Sequence, residues 1–181
     1  MTSSKILAYL GPAGSFTHQA AERMCPDGVE LQPFGDLSQV ISALMTGQAD
    51  YAVAAINSAA GPIEATVDVL KSGQVLDLGR THIDVSFDLY RKPGEAETLE
   101  GVIGHEKALA QIHHWIEQRD VQTEQVESNT LGLQMIADGR PAWGAVGPPG
   151  LAQKFGLEVV AQALDSPNRN QTEFVLMTRQ T

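Results

Sequence analysis

The chain has 181 residues, 43% hydrophobic and 19% charged, a composition ordinary for a soluble globular fold long enough to bury a core. Its 22 acidic and 12 basic residues give a net charge of −10, a surface that repels phosphate backbones, so nucleic acid is not an expected partner. The single cysteine, Cys25, excludes an intrachain disulfide, and no run approaches the roughly 18 apolar residues of a membrane span.

No signal-peptide pattern precedes the first strand, so a cytoplasmic location is expected. Residues 5–10 read as a strand that runs into the turn Gly11-Pro12-Ala13-Gly14. Residues 16–24 follow as an Ala-rich helix that Ser15 or Thr17 can cap. Backbone N–H groups left free at that helix start offer a site for an anion such as a carboxylate. Cys25 ends an apolar helix face and reads as a buried small side chain. Residues 29–34 form a short strand, and residues 37–45 a helix with Asp36 or Ser38 at its start and Gly47 past its end. Residues 51–56 are continuously apolar, as in a strand buried on both faces. Residues 62–70 read as a helix with Pro62 in its first turn and Gly73 beyond it.

Residues 74–90 then alternate and are rich in β formers, a stretch able to carry the chain from one lobe to another. A polar turn is expected over residues 91–99. A second series follows: strand 101–103, helix 107–118, strand 121–126, helix 130–137 ended by Gly139, and strand 143–146. A short helix over 150–155, a strand over 157–161, a loop over 165–171 and a last strand over 173–178 complete it. Two such βα series predict two α/β lobes around a cleft. Lobe 1 takes about residues 1–77 plus 166–181, and lobe 2 about residues 78–165.

Ligands of open α/β sheets sit beyond the carboxyl ends of strands, beside helix starts. Four junctions here carry small or polar residues: 11–17, 56–61, 104–107 and 127–130. Together they point to a small dianion held by N–H donors. His105 falls at a strand end and a helix start, where it can donate to a carboxylate or shuttle a proton. His18, His82, His113 and His114 read as surface or packed imidazoles. No His, Cys, Asp or Glu spacing fits a metal site, and neither a Walker nor a GxGxxG loop is present, so no metal or cofactor is expected.

The motifs GPAGSFTHQAA (residues 11–21), INSAAG (56–61), GHEKALAQ (104–111), ESNTLG (127–132) and NQTEF (170–174) occur in this order. In that order they resemble the prephenate dehydratase catalytic domain, whose patterns are GPxGTFTxxAA, PIENSxxG, SHPQALxQ, EStsAA and NxTRF. The resemblance covers residues 6–178. It implies two α/β lobes of the periplasmic-binding-protein type II kind and a lyase that removes water and CO2 from prephenate to give phenylpyruvate. By this resemblance Thr172, His105 and Glu173 are the catalytic candidates. Ser15, Thr17, Asn57, Ser58, Lys107, Asn129, Thr130 and Phe174 are the substrate-binding candidates. Ile56 stands where the family has Glu, and Glu173 where it has the Arg that serves the substrate's negative charge. That exchange of guanidinium for carboxylate shifts the local charge by two units, so Glu173→Arg is expected to strengthen dehydration. Lys107 can compensate as a cation.

The departures keep two other functions in view. One is a non-aromatising prephenate decarboxylase of specialised metabolism, with His105 or Glu173 delivering a proton to the ring. The other is a non-catalytic module that binds a cyclohexadienyl or aromatic acid. The resemblance also implies a homodimer or higher homo-oligomer. The family's C-terminal regulatory ACT domain has no counterpart in these residues, so feedback by phenylalanine at such a domain is not expected.

Overall fold

A computed structural model describes residues 4–94, 98–164 and 170–180. Parts of the expected turn at 91–99 and of the expected loop at 165–171 lie outside those residues. The chain divides into two compact units. One holds the chain up to Asp84 and resumes at Asn170, and the other begins at Val85.

The first unit is built on the sheet order β2-β1-β3-β11-β5. Strands β1 (Lys5–Leu10), β2 (Val29–Phe34) and β3 (Tyr51–Ser58) are parallel, and β11 (Asn170–Arg179) runs antiparallel to β3. The edge strand β5 is Val75–Val85. Successive side chains of the central strands enter opposite layers, as the pleat requires. Leu7, Tyr9, Val53 and Phe174 pack with helix α1 (Phe16–Met24), while Ala8, Ala52, Ala54 and Val175 pack with helix α2 (Leu37–Thr46). The small alanines on the second face let α2 approach closely. Asp36 caps α2 by accepting the Gln39 N–H, and Gly47 closes it in the left-handed conformation at φ 83°.

Pro62 does not start a helix. It lies in the two-residue strand β4 (Gly61–Pro62), which folds back on the end of β3 with Asn57 opposite Pro62 and Ser58 opposite Gly61. Gly61 takes φ 106° to make this reversal, and helix α3 begins only at Glu64 (Glu64–Lys71). The stretch 74–90 is likewise two strands. β5 ends at Val85, and β6 (Asp88–Arg91) opens the sheet of the second unit.

That second sheet has the order β10-β6-β9-β7-β8. β7 (Gly101–Gly104), β8 (Gln122–Gln125) and β9 (Trp143–Gly147) are parallel, whereas β6 runs antiparallel to β9 and β10 (Glu158–Ala161) antiparallel to β6. The helix expected over 107–118 is broken at Ile112 into α4 (Glu106–Gln111) and α5 (His113–Arg119), because Ile112 leaves helical geometry (φ −99°, ψ 12°) with its side chain buried. Helix α6 (Asn129–Ala137) packs Leu133 and Ile136 on Ile103 and Ala145, and the short α7 (Ala152–Phe155) adds Leu151 and Phe155 to the same core. Gly101 permits this layer, since a Cβ there would lie 2.6 Å from the Trp143 ring.

Cys25 is half-buried, and burial together with Asp27 pushes its thiol up. Tyr90 is fully buried. Its hydroxyl donates to the Pro148 carbonyl at 2.6 Å and accepts the Leu151 N–H at 3.4 Å, and burial raises its pKa to about 12. Tyr90→Phe is expected to cost about 1–3 kcal/mol by leaving these buried groups unpaired. The folded pKa lies above the unfolded value, so the proton-linked stability is complete below pH 10 and is lost as pH rises towards 12. Urea unfolding at pH 8 and pH 11 checks this: the gap between wild type and variant should narrow at pH 11.

Candidate functional site

In the first unit the carboxyl ends of β1 and β3 and the beginning of β11 meet at one sheet edge, since Glu173 pairs with Asn57 in antiparallel register. At this end of the sheet Ser15 and Thr17 follow β1, Asn57 and Ser58 close β3, and Thr172 and Glu173 lie near the start of β11. The register slips between Glu173 and Phe174, leaving Ile56 as the extra residue of a β-bulge. Ile56 is 7% exposed and packs into the cluster beneath α2 and α3, so it is a core residue.

The opening turn is more self-satisfied than its sequence implies. Ser15 is the helix cap: its Oγ accepts the His18 N–H at 3.2 Å and reaches the Leu10 carbonyl at 3.5 Å. The Gly14 N–H, expected to be free for an anion, donates instead to His18 Nδ1 at 3.1 Å, and the Ser15 N–H donates to the Pro12 carbonyl at 3.2 Å. His18 also lies 5.1 Å from the Tyr9 ring, so it locks the turn from one helical turn away. Thr17 sits half-buried in the first turn of α1.

Asn57 is exposed at its strand end. Ser58 serves the hairpin, donating to the Gly61 carbonyl at 3.2 Å and accepting the Ala60 N–H at 3.3 Å. Thr172 is half-buried on β11. Phe174, expected to meet substrate, is 2% exposed and packs against Leu7, Tyr9, Ala20, Ala21 and Val53, so it belongs to the core. Glu173 is not a lone carboxylate. Arg80 on β5 brings Nη1 within 3.4 Å of its Oε1, a partner that lies 93 residues away in sequence and went unrecognised there.

In the second unit the carboxyl ends of β7 and β8 carry the starts of α4 and α6. His105 caps α4: its Nδ1 accepts the Lys107 N–H at 3.2 Å, so the neutral ring carries its proton on Nε2. His105 is thereby a hydrogen-bond donor at its outer nitrogen. Its own N–H donates to Asn129 Oδ1 at 2.7 Å, which spends that side-chain oxygen on holding the His105 loop to α6. Ser128 caps α6 by accepting the Leu131 N–H at 3.1 Å, and Thr130 is half-buried in its first turn. Lys107 is exposed. An open pocket of about 610 Å³ is lined by His105, Glu106, Gln125, Val126, Glu127 and Leu131. Its charged lining is acidic, so an anion there relies on the His105 and Gln125 donors. Asn129→Ala is expected to cost about 1–2 kcal/mol, because the partly buried His105 N–H loses its partner. Chemical denaturation measures that cost, and unchanged stability would show the contact to be dispensable.

Among the described residues no group of three or more His, Cys, Asp or Glu side chains is placed to hold a metal ion. Among them, too, no helix is long and apolar enough to cross a membrane.

The chain is a mixed α/β protein of two units, each with helix starts at the carboxyl ends of parallel strands. The family model described as prephenate dehydratase matches residues 7–181. The bifunctional chorismate mutase/prephenate dehydratase of Neisseria gonorrhoeae is 32% identical over 178 residues, covering 94% of this chain and 49% of that protein. The prephenate dehydratase of Mycolicibacterium smegmatis is 32% identical over 187 residues, covering 94% of this chain and 60% of that protein. The crystal structure of the prephenate dehydratase of Staphylococcus aureus superposes with a TM-score of 0.85 at 24% identity, over 98% of this chain and 67% of that one. The chain belongs to the prephenate dehydratase family, and it spans about half to three-fifths of the length of these two curated relatives.

Proposed function

We propose that this chain is the catalytic domain of a prephenate dehydratase, a lyase that converts the prephenate dianion and one proton to phenylpyruvate, CO2 and water. The observation that carries the reading is the family match over residues 7–181 together with Thr172 on β11, one residue from the Glu173–Asn57 pairing at the carboxyl edge of the first sheet. In this reaction the C–CO2 bond electrons enter the ring as the ring hydroxyl departs as water. Thr172 hydrogen-bonds that leaving hydroxyl. Thr17, Asn57 and Ser58 hold a carboxylate in the first unit. In the second unit the His105 Nε2–H is a donor at the start of α4, next to the exposed Lys107, and Thr130 lies in the first turn of α6. Ser15 and Asn129 act by holding the loops that carry these groups. Arg80 engages the Glu173 carboxylate, so we assign Glu173 to charge balance rather than to proton donation.

The domain is residues 1–181; the boundaries expected near residues 77 and 166 move to Asp84/Val85 and Asn170, because the whole of β5 belongs to the first sheet. It works in the cytoplasm, in phenylalanine biosynthesis, as a homodimer or higher homo-oligomer. The test is incubation with prephenate, with product followed by absorbance and mass. Phenylpyruvate supports the reading. A product that has lost CO2 but kept its ring oxygen overturns it in favour of a decarboxylase, and unchanged prephenate that still binds overturns it in favour of a binding module.

A further inference from the structure

The His18 ring lies between two groups that favour opposite protonation states. Its Nδ1 accepts the Gly14 N–H at 3.1 Å, which only a ring bare at that nitrogen can do. Its Nε2 faces Glu22 Oε1 at 3.8 Å, one turn further along α1, and that carboxylate favours an imidazolium. The two side chains are 19% and 57% exposed, so a proton reaches the ring from solvent. Gly14 is buried at φ 94°, so its N–H cannot exchange this partner for water unless the turn opens. The other elements packed on α1 bring few charges to the ring. Tyr9 of β1 lies 5.1 Å away between ring centroids, and burial, then the Glu22 charge, pushes its pKa up. Lys5 sits over the Tyr51 ring of β3 at 5.9 Å, and Arg23 donates to the His82 carbonyl of β5 at 3.2 Å. To this layer β11 presents Phe174 and Leu176, β5 presents Ile83, and the end of α1 adds the half-buried Cys25. Glu22 is therefore the carboxylate that a protonated His18 meets.

We propose that His18 is a proton-operated latch on the turn at residues 11–14. With the ring neutral, Nδ1 holds the Gly14 N–H and the turn is closed. When the ring takes up a second proton, Nδ1 becomes a donor, the Gly14 bond is lost, and the imidazolium pairs with Glu22. A buried N–H left without a partner is costly, so the turn opens until Gly14 reaches water. Acid opens the turn and base closes it, because the closed state needs Nδ1 bare. Histidine side chains exchange this proton between about pH 5 and 8, a range a cell can impose. Glu22 supports the open state and, being exposed, supports it less as salt rises. The latch involves no substrate, and it stands whether or not the chain converts prephenate. What it loosens is the link between β1 and α1, at the end of the sheet where β3 closes with Asn57 and Ser58.

The test follows the full chain by NMR from pH 8 to pH 5, reading the His18 ring signals and the hydrogen-exchange protection of the Gly14 amide. Protection is taken against the unstructured-chain rate at each pH, which removes the pH dependence of exchange itself. Gly14 protection is expected to fall about tenfold, the equilibrium scale of one lost hydrogen bond. The fall should share its midpoint with the ring, while the amides of the fully buried Leu7 and Val53 keep their protection. His18→Gln keeps a side-chain acceptor that does not titrate, so Gly14 protection should stay level in that variant. Glu22→Gln should move the midpoint to lower pH, and added salt should shrink that difference. A ring that titrates while Gly14 protection stays level overturns the latch. A fall of the same size in His18→Gln overturns it too, as does a ring that stays neutral at pH 5 in the folded protein. Should His18→Gln fail to fold, the wild type still decides: ring and amide midpoints that coincide support the latch, and midpoints that clearly differ overturn it.

Discussion

Thr172→Ala is expected to lower kcat for phenylpyruvate formation by about 10²–10⁴, the usual contribution of one positioned proton-handling group. That loss corresponds to roughly 3–5 kcal/mol of transition-state stabilisation. In the proposed role the hydroxyl is needed only as the ring C–O bond breaks, so KM should stay close to wild type; the loss then falls on kcat and kcat/KM alike. Thr172 is half-buried on a strand, and Thr172→Val keeps its shape and β-branching. The valine variant therefore separates chemistry from packing, and Thr172→Ser should restore part of the rate by restoring the hydroxyl. Steady-state kinetics with a melting curve for each variant is the measurement. A valine variant with wild-type kcat would remove Thr172 from the reaction.

The elements with strong local signals were readable from sequence: β1, α1 and β2 have the bounds expected for them, because alternation, a capping serine and the Ala20–Ala21 pair act within a few residues. What sequence missed depends on partners far along the chain. Pro62 looks like the first residue of a helix until β3 offers Asn57 and Ser58 as pairing partners. Residues 74–90 look like one strand because both halves are rich in β formers, although β5 and β6 belong to different sheets. Apolar residues at helical spacing run through Ile112, and only its backbone, at φ −99° and ψ 12°, shows the break between α4 and α5. At the candidate site, the order of the motifs proposes the residues, while the hydrogen bonds show what each one touches. His18, read as a bystander, closes the first turn, and Asn129, read as a substrate contact, holds the His105 N–H. The Glu173 charge looked uncompensated because the pairing of β11 with β5 joins residues 93 apart.

Phe174 is where motif membership and physical role separate most clearly. It falls in the same motif as Thr172, two residues along, yet its ring is 2% exposed among Leu7, Tyr9, Ala20, Ala21, Val53, Ile83 and Leu176. Phe174→Ala should therefore leave a cavity in the layer between α1 and the sheet, at a cost of about 3–5 kcal/mol. Against a total stability of roughly 5–15 kcal/mol this is a large share. For a chain of this size it lowers the melting temperature by about 6–20 °C. Phe174→Leu, which refills much of the space, should cost under about 2 kcal/mol. A residue that met substrate would behave in the opposite way: the alanine variant would melt like wild type and lose affinity for prephenate. Melting curves and KM, taken below the melting point of the weaker variant, decide between the two. An unchanged melting temperature with a raised KM would place the ring in the substrate's path. The expected result, a lowered melting temperature with KM near wild type, makes Phe174 the anchor that fixes β11 against α1. In the proposed mechanism the aim of the Thr172 hydroxyl then depends on a core contact as well as on its own strand.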